Sequence, residues 1–295
     1  MIPLENILQS IKHLPPVPTV IQKALSLLMN QEVSASKIVE VIQYDQALTA
    51  NVLKICNSAY FGLSRKIYSL QEALVRIGNR NMRIVIMASS LMQFYKKAGD
   101  GYDLRKGDLW RHSVACGMMS MILGKTISQR TGHAVEDHYL FTTALLHDLG
   151  KVVLNEYVKE SFEEIVTMVE SRKCSFVEAE REIIGMDHAA LGARISRMWK
   201  FPDRMAEAIA YHHEPESSPE PCSLLYIVHL SDLLCMMMGI GGGVDGLAYR
   251  GMDSVLQTYG LAEKDVERCM ASLLEEMARV DGFLYDENDV HRNHP

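Results

Sequence analysis

The chain has 295 residues, of which 48% are apolar and 23% charged, and its formal net charge is −7. This composition is typical of a globular protein with a buried core, and at about 150 residues per domain the length indicates two domains or two lobes. It excludes a disordered or fibrous chain. Because the sequence also lacks a long basic run, we do not expect nucleic acid to be the main partner.

Six cysteines are scattered along the chain without a Cys-x-x-Cys pair or a dense framework. They predict reduced thiols that pack as small apolar side chains in a cytosolic protein. The first residues carry neither the cationic start nor the apolar run of a signal peptide. The most apolar segment, residues 233–244, is too short and too rich in glycine to span a membrane. We therefore expect a cytoplasmic protein with no membrane insertion.

Helix is predicted along nearly the whole chain. Residues 19–201 contain no proline, and apolar residues recur there at i, i+3, i+4 spacing. Ser69 with Glu72 and Ser175 with Glu178 have the spacing of capping boxes, which mark helix starts. In chain order, the predicted helices span residues 3–12, 18–30, 34–43, 46–57, 69–77, 80–95, 107–131, 136–148, 152–171, 175–184, 188–199, 203–213, 220–238, 252–259 and 262–279.

A polar, glycine-containing segment at residues 96–101 is the predicted boundary between two helical lobes. We therefore predict an all-α, two-lobed protein. An N-terminal helical bundle at residues 1–100 is followed by a second helical lobe at 101–284, which carries the candidate metal site. The polar tail at 285–295 is expected to be frayed.

Histidine and aspartate in the second lobe are the strongest indication of chemistry. The pair His147-Asp148 closes the apolar run at residues 143–146, where burial of two titratable groups without partners would be unfavourable. Taken singly, each histidine is also compatible with an ordinary helix residue that has a hydrogen-bond partner. His229 matches no such setting and is interpreted as solvated or incidental. The candidate site consists of His112, His147, Asp148, His188, His212, His213 and Asp232.

A divalent metal would compensate the unfavourable free energy of burying these titratable side chains. Imidazole nitrogen and carboxylate oxygen together suit Zn, Fe, Mn or Ni, and these seven positions offer no thiolate. Five histidines and two aspartates exceed the needs of one ion. Two metals about 3.5–4 Å apart, bridged by a carboxylate, would use them all and would suit hydrolysis of a phosphate ester. The sequence therefore predicts one or two divalent transition metal ions.

Residues 145–151, Leu-Leu-His-Asp-Leu-Gly-Lys, resemble the signature of the HD superfamily of metal-dependent phosphohydrolases. Blocks in the first lobe narrow the resemblance to the HDOD family, although Gln46 stands where that family usually has proline. The resemblance covers roughly residues 10–240. The matching blocks are residues 14–18, 44–48, 57–62, 73–78, 185–192 and 210–214.

The resemblance also implies roles for the site residues, through the related HD-GYP cyclic-dinucleotide phosphodiesterases. In an active enzyme Lys151 would face the phosphate, and Lys151 and Asp148 would be the catalytic residues. The Gly-Tyr-Pro loop of those enzymes is absent, because residues 215–219 are Pro-Glu-Ser-Ser-Pro. One metal would be held by His112, His147, Asp148 and Asp232, and the other by His188, His212 and His213, with Asp148 as the bridge.

Two functions are compatible with the resemblance. HDOD proteins are generally signalling and regulatory modules, which implies a bacterial signal-transduction protein that acts on signalling proteins in trans. The retained ligand set implies the alternative, a metal-dependent phosphohydrolase or phosphodiesterase acting on a nucleotide or another phosphoester. The missing loop favours the regulatory interpretation, and the ligand set favours the enzyme.

Overall fold

The computed structural model describes residues 19–30, 32–95, 102, 107–132, 135, 139–241 and 252–284. Within these ranges the chain forms thirteen α-helices and no strand, so the predicted all-α class is confirmed. The predicted helix at 3–12, the boundary segment at 96–101 and the tail at 285–295 lie outside the described residues. The helices are α1 (Thr19–Met29), α2 (Ala35–Ile42), α3 (Gln46–Cys56), α4 (Leu70–Tyr95), α5 (Asp108–Thr131), α6 (Leu140–Leu146), α7 (Leu149–Arg172), α8 (Phe176–Ile183), α9 (His188–Met198), α10 (Asp203–Tyr211), α11 (Ser223–Met237), α12 (Met252–Thr258) and α13 (Glu263–Leu284).

The described residues group into two compact units. The central unit comprises those between 94 and 273, and the N-terminal unit comprises those up to 93 together with those from 274 to 284. The sequence-based division places all of residues 101–284 in the second lobe, whereas the structure groups the C-terminal end of α13 with the N-terminal helices. Tyr60 of the N-terminal unit and Glu276 of α13 interact there, since burial and the Glu276 carboxylate raise the pKa of Tyr60 to about 12.

Local sequence explains the helices of the N-terminal unit. The apolar stripe of α2 buries Ala35, Ile38, Val39 and Ile42 on one face. The predicted helices at 69–77 and 80–95 form one helical segment, Leu70–Tyr95, that is interrupted at Gly78. Gly78 has a φ of 78°, a left-handed value that glycine adopts without a steric penalty.

Asn57 ties the end of α3 to the following loop. Its side-chain amide donates to the carbonyl oxygens of Leu53 at 2.9 Å and Ile67 at 2.8 Å, and its oxygen accepts from the Ile67 amide at 2.7 Å. We expect Asn57→Ala to lower the free energy of unfolding by about 1–3 kcal/mol, because the partly buried Ile67 backbone loses both partners. Chemical denaturation measures this loss. Glu40→Ala, at an exposed position of α2, should change stability by less than about 0.5 kcal/mol.

The central unit is built around two buried helices, α5 and α11, which pack on each other and on α6. Nearly every residue over 112–120 and 224–235 is buried, as expected for helices that are apolar on all sides. A second group of helices packs α9 between α7 and α10. No helix in the described ranges is both long and apolar enough to cross a lipid bilayer.

The start of α7 and the start of α9 approach each other backbone to backbone. A Cβ atom on Gly150 would overlap the carbonyl oxygen of His188 and would lie 2.7 Å from its carbonyl carbon. A Cβ atom on Gly192 would lie 3.2 Å from the Gly150 amide nitrogen. Only glycine at residue 150 permits this approach, which brings the residues at the two helix starts into one site.

Candidate metal centre

All seven candidate residues lie in the central unit, and the structure brings their side chains together. They come mainly from helix ends. His112 lies in the second turn of α5, His147 and Asp148 join α6 to α7, and His188 begins α9. His212 and His213 follow α10, and Asp232 lies within α11. The side chains are deeply buried, from 0% exposed for Asp148 to 5% for His213.

Asp148 occupies the middle of the cluster. Its Oδ2 atom lies 3.6 Å from His112 Nε2 and 3.4 Å from His147 Nε2. Its Oδ1 atom lies 3.4 Å from His188 Nε2 and 3.8 Å from His212 Nε2. One carboxylate thus faces imidazoles on both sides, which is the position that a bridging ligand between two metals occupies.

Asp232 is the second carboxylate of the cluster. Its Oδ1 atom lies 3.0 Å from His112 Nε2 and 3.5 Å from His147 Nε2, and its Oδ2 atom lies 3.8 Å from His213 Nδ1. The seven residues therefore form a continuous network around two carboxylates.

Hydrogen bonds at the back of the imidazoles fix their tautomers. The Nδ1 atoms of His112, His147 and His212 lie 2.8, 2.6 and 2.7 Å from the carbonyl oxygens of Ile240, Ala144 and Ile209. Because a carbonyl oxygen only accepts, each Nδ1 carries the proton and donates it. In the neutral imidazole each Nε2 atom then presents its lone pair to the centre, as a metal-ligating histidine does.

Several buried atoms of the cluster lack a hydrogen bond from any described residue. They are Nε2 of His147, Nε2 of His212 and Oδ1 of Asp148. A buried polar atom without a partner is unfavourable by about 1–3 kcal/mol. Divalent cations at the centre would satisfy these atoms, since nitrogen and carboxylate oxygen are the donors such cations take. The residues present therefore fit a metal site.

The pKa shifts of Asp148, Asp232 and His212 also agree with a metal site. Burial favours the neutral form of Asp148, but the adjacent His147 and Lys151 hold the pKa of that carboxyl well below its usual range. Burial likewise opposes ionisation of Asp232, but the neighbouring imidazoles of His112 and His147 hold its pKa well below the usual range. Burial and the neighbouring imidazoles lower the pKa of His212. Ionised carboxylates and a neutral imidazole are the forms that bind metals.

The pKa of His147 is shifted in the opposite direction from that of His212. Burial disfavours its charged form, but Asp148 and Asp232 act more strongly and raise its pKa to about 10. With two buried carboxylates and no cation, a protonated His147 supplies part of the positive charge that the cluster needs. A bound dication would supply that charge instead and would leave the imidazole neutral.

Glu180 is a site residue that the sequence analysis missed. Its carboxylate is fully buried and accepts from His188 Nδ1 at 2.7 Å, from the His188 amide at 3.0 Å and from the Tyr102 hydroxyl at 2.7 Å. The signal was present in the sequence, because Glu180 falls on the apolar face of α8 between Phe176 and Ile183. A buried acid on such a face requires a partner.

We expect Glu180→Gln to weaken metal binding. A carboxylate behind a metal-ligating histidine orients the ring, and its loss typically lowers affinity by about 10- to 100-fold. Titration of the purified protein against a chromophoric chelator measures the change. Glu182→Gln is the matched control, because Glu182 lies on the same helix with its side chain 54% exposed. Equal affinities for the two variants would contradict the role assigned to Glu180.

Two further residues lie near the cluster. Lys151 lies in the first turn of α7, where its Nζ atom donates to Asp148 Oδ2 at 2.7 Å, and its side chain is 5% exposed. His229, interpreted from the sequence as solvated or incidental, is instead buried, and its Nδ1 atom donates to the carbonyl oxygen of His212 at 2.6 Å. The solvated interpretation of His229 was wrong, because an isolated histidine gives no indication of which helix packs over it.

The fold and this cluster define a class of protein, an all-helical one in which helix ends deliver histidines and aspartates to one buried centre. The sequence profile of the HDOD domain matches residues 14–215, more than half of the chain. The chain therefore belongs to the HDOD family.

Solved structures of other proteins share the fold of this chain. The chain is similar to the crystal structure of an HDOD domain protein of unknown function from Geobacter sulfurreducens, with 24% identity, a TM-score of 0.72 and coverage of 95% of this chain and 99% of the other. It is also similar to a candidate phosphohydrolase from Shewanella amazonensis SB2B, with 20% identity, a TM-score of 0.71 and coverage of 95% and 98%. At these identities the likeness shows the fold.

An uncharacterized protein of Treponema pallidum (strain Nichols) is 25% identical to the chain over 215 residues. The match covers 73% of this chain but 40% of that protein. The chain thus spans less than half the length of this relative.

Proposed function

We propose that the chain is a bacterial, cytoplasmic HDOD regulatory protein that holds a divalent metal centre and passes a signal to protein partners in trans. The observation that carries the proposal is the burial of the candidate ligands. The Asp148, His188 and His212 side chains are 0% exposed, and Asp232 is 3% exposed. A centre so enclosed suits a structural or sensing role better than the turnover of a large phosphoester.

The centre would hold one or two ions of Fe, Mn, Zn or Ni. Asp148 faces both groups of imidazoles and would be the shared ligand. A divalent metal there would supply Lewis-acid chemistry towards a phosphoryl oxygen. The outer ligands of one ion would be His112, His147 and Asp232, and those of the other would be His188, His212 and His213.

A turnover assay tests the regulatory proposal. The metal-loaded 295-residue chain is incubated with a panel of phosphomonoesters, phosphodiesters and cyclic nucleotides, and its metal content is measured on the same sample. We expect bound metal without metal-dependent turnover. Turnover that disappears on chelation and returns with metal would overturn the regulatory proposal in favour of an enzyme.

A metal-dependent phosphohydrolase is the second candidate, and the position of Lys151 favours it. The ammonium group lies 2.7 Å from Oδ2 of Asp148, beside the proposed shared ligand. There it could balance negative charge on a phosphoryl group in the transition state. If turnover is found, Lys151→Met should abolish it while the metal content is retained, and Lys159→Met, at an exposed position of the same helix, should leave it unchanged.

A further inference from the structure

Cys116 lies beside the candidate metal centre and has no role in the proposal above. It follows His112 by four residues on α5, so the two side chains project from the same face of the helix one turn apart. Its Sγ atom lies 3.5 Å from His112 Nε2, the atom that faces Asp232. The Cys116 side chain is fully buried.

The sulfur is part of a compact set of donor atoms. One atom each of His112, Cys116, His147 and Asp232 lie within 4.8 Å of one another. His147 supplies an independent indication of a ligand at this point, because its Nε2 atom is fully buried and has no hydrogen-bond partner among the described residues. Nitrogen, sulfur and carboxylate oxygen are all donors that a transition metal takes, and together with the shared Asp148 these four atoms would make a five-coordinate site.

The neighbouring thiol of Cys235 provides a contrast. Cys235 is also fully buried, on α11 three residues after Asp232, and it interacts with Cys116. Within the described part of the chain, however, Cys235 does not belong to a group of atoms that could hold a metal. Burial alone therefore does not explain why one of these two sulfurs faces the centre.

We propose that Cys116 is a metal ligand, binding as a thiolate the ion held by His112, His147 and Asp232. The inference rests on the proposed metal centre and specifies the chemistry of one half of it. A sulfur–metal bond forms, and the thiol proton is released to solvent. The sequence-based interpretation of the cysteines as core side chains is then incomplete for Cys116.

A thiolate changes which metals this half of the centre prefers. Sulfur is a soft donor that favours Zn²⁺, Fe²⁺ and Co²⁺ over Mn²⁺ and Mg²⁺. The other half, consisting of Asp148, His188, His212 and His213, contains only nitrogen and oxygen donors. The two halves should therefore differ in metal preference.

Cobalt spectroscopy tests the proposal directly. The full chain is stripped of metal and titrated with Co²⁺, which substitutes for Zn²⁺ and reports its ligands. We expect weak visible ligand-field bands together with a near-ultraviolet sulfur-to-cobalt charge-transfer band. Cys116→Ser should remove the charge-transfer band and retain ligand-field bands, whereas Cys235→Ser should retain both. Zn²⁺ affinity of Cys116→Ser should fall by more than the roughly 10- to 100-fold typical of a change behind a ligand.

The outcomes separate this inference from the proposed function. Ligand-field bands without a charge-transfer band in the wild-type protein would overturn the role of Cys116 and leave the metal centre standing. A charge-transfer band lost in Cys235→Ser but kept in Cys116→Ser would also overturn it. No cobalt bands, with no metal found by elemental analysis, would overturn both. Circular dichroism of Cys116→Ser and Cys116→Ala shows whether each variant keeps its helices.

Discussion

Asp148→Ala is expected to lose most of its metal. The wild-type protein, purified without chelators or affinity-resin metal, should contain roughly one or two ions of Fe, Mn, Zn or Ni per chain. Both oxygens of Asp148 face imidazoles, within 3.4–3.8 Å, so its removal takes a ligand from both halves of the centre. Affinity should fall by more than about 100-fold, beyond the effect of changing a group behind a ligand. Elemental analysis measures the metal content.

Asp203→Ala is the matched control for this experiment. Asp203 is an exposed aspartate in the first turn of α10, the helix that precedes His212. Its removal should leave the metal content unchanged. Full metal content in folded Asp148→Ala would contradict the proposed bridge, and a wild-type protein that binds no metal on reconstitution would contradict the centre as a whole.

Gly150→Ala is expected to disrupt the central unit. The added methyl group would overlap the His188 carbonyl oxygen and lie 2.9 Å from the Gly192 amide nitrogen, and both of these are backbone atoms that cannot rotate away. The helix starts of α7 and α9 would have to separate, which would displace His188 from Asp148. We expect a loss of more than about 4 kcal/mol in the free energy of unfolding, or failure to fold, together with loss of bound metal.

Gly124→Ala provides the control, because it makes the same substitution inside a helix of the same unit. The Cβ atom of residue 124 would meet the tip of the Leu140 side chain at 2.5 Å, with Val135 Cγ1 at 3.9 Å, and both are side-chain atoms that can move. Alanine also favours helix over glycine by about 0.8–1 kcal/mol, which offsets that adjustment. Thermal and chemical unfolding should therefore separate the two variants clearly. Equal stabilities would mean that α7 and α9 are not in backbone contact at Gly150.

Most of the secondary structure could be predicted from the sequence because helix signals are local. The capping box of Ser175 and Glu178 is present as predicted, with both reciprocal hydrogen bonds. The helix predicted at 46–57 is observed as Gln46–Cys56, and Asn57 ends it through its own side chain. Such signals involve residues within one turn of each other, so no tertiary information is needed to interpret them.

The members of the cluster could also be identified before the structure, for a chemical reason. Histidine and aspartate that close apolar helical runs, as His147 and Asp148 do, are costly to bury without partners, so they indicate a shared site. Helical periodicity specified which face of each helix is apolar. It did not specify which residue of that face meets which neighbour.

Only the tertiary structure decided what stands next to those residues. Cys116 suits an apolar core as well as a metal centre, and its position near Asp232 depends on how α5 packs against α11. The carboxylate of Glu180 reaches His188 only because the packing of helices α7, α8 and α9 brings it there. Helix periodicity acts within about one turn, whereas these contacts join residues whose proximity is set by packing. The sequence by itself therefore determined the helices and most of the candidate ligands, and the packing of the central unit decided which additional groups accompany them.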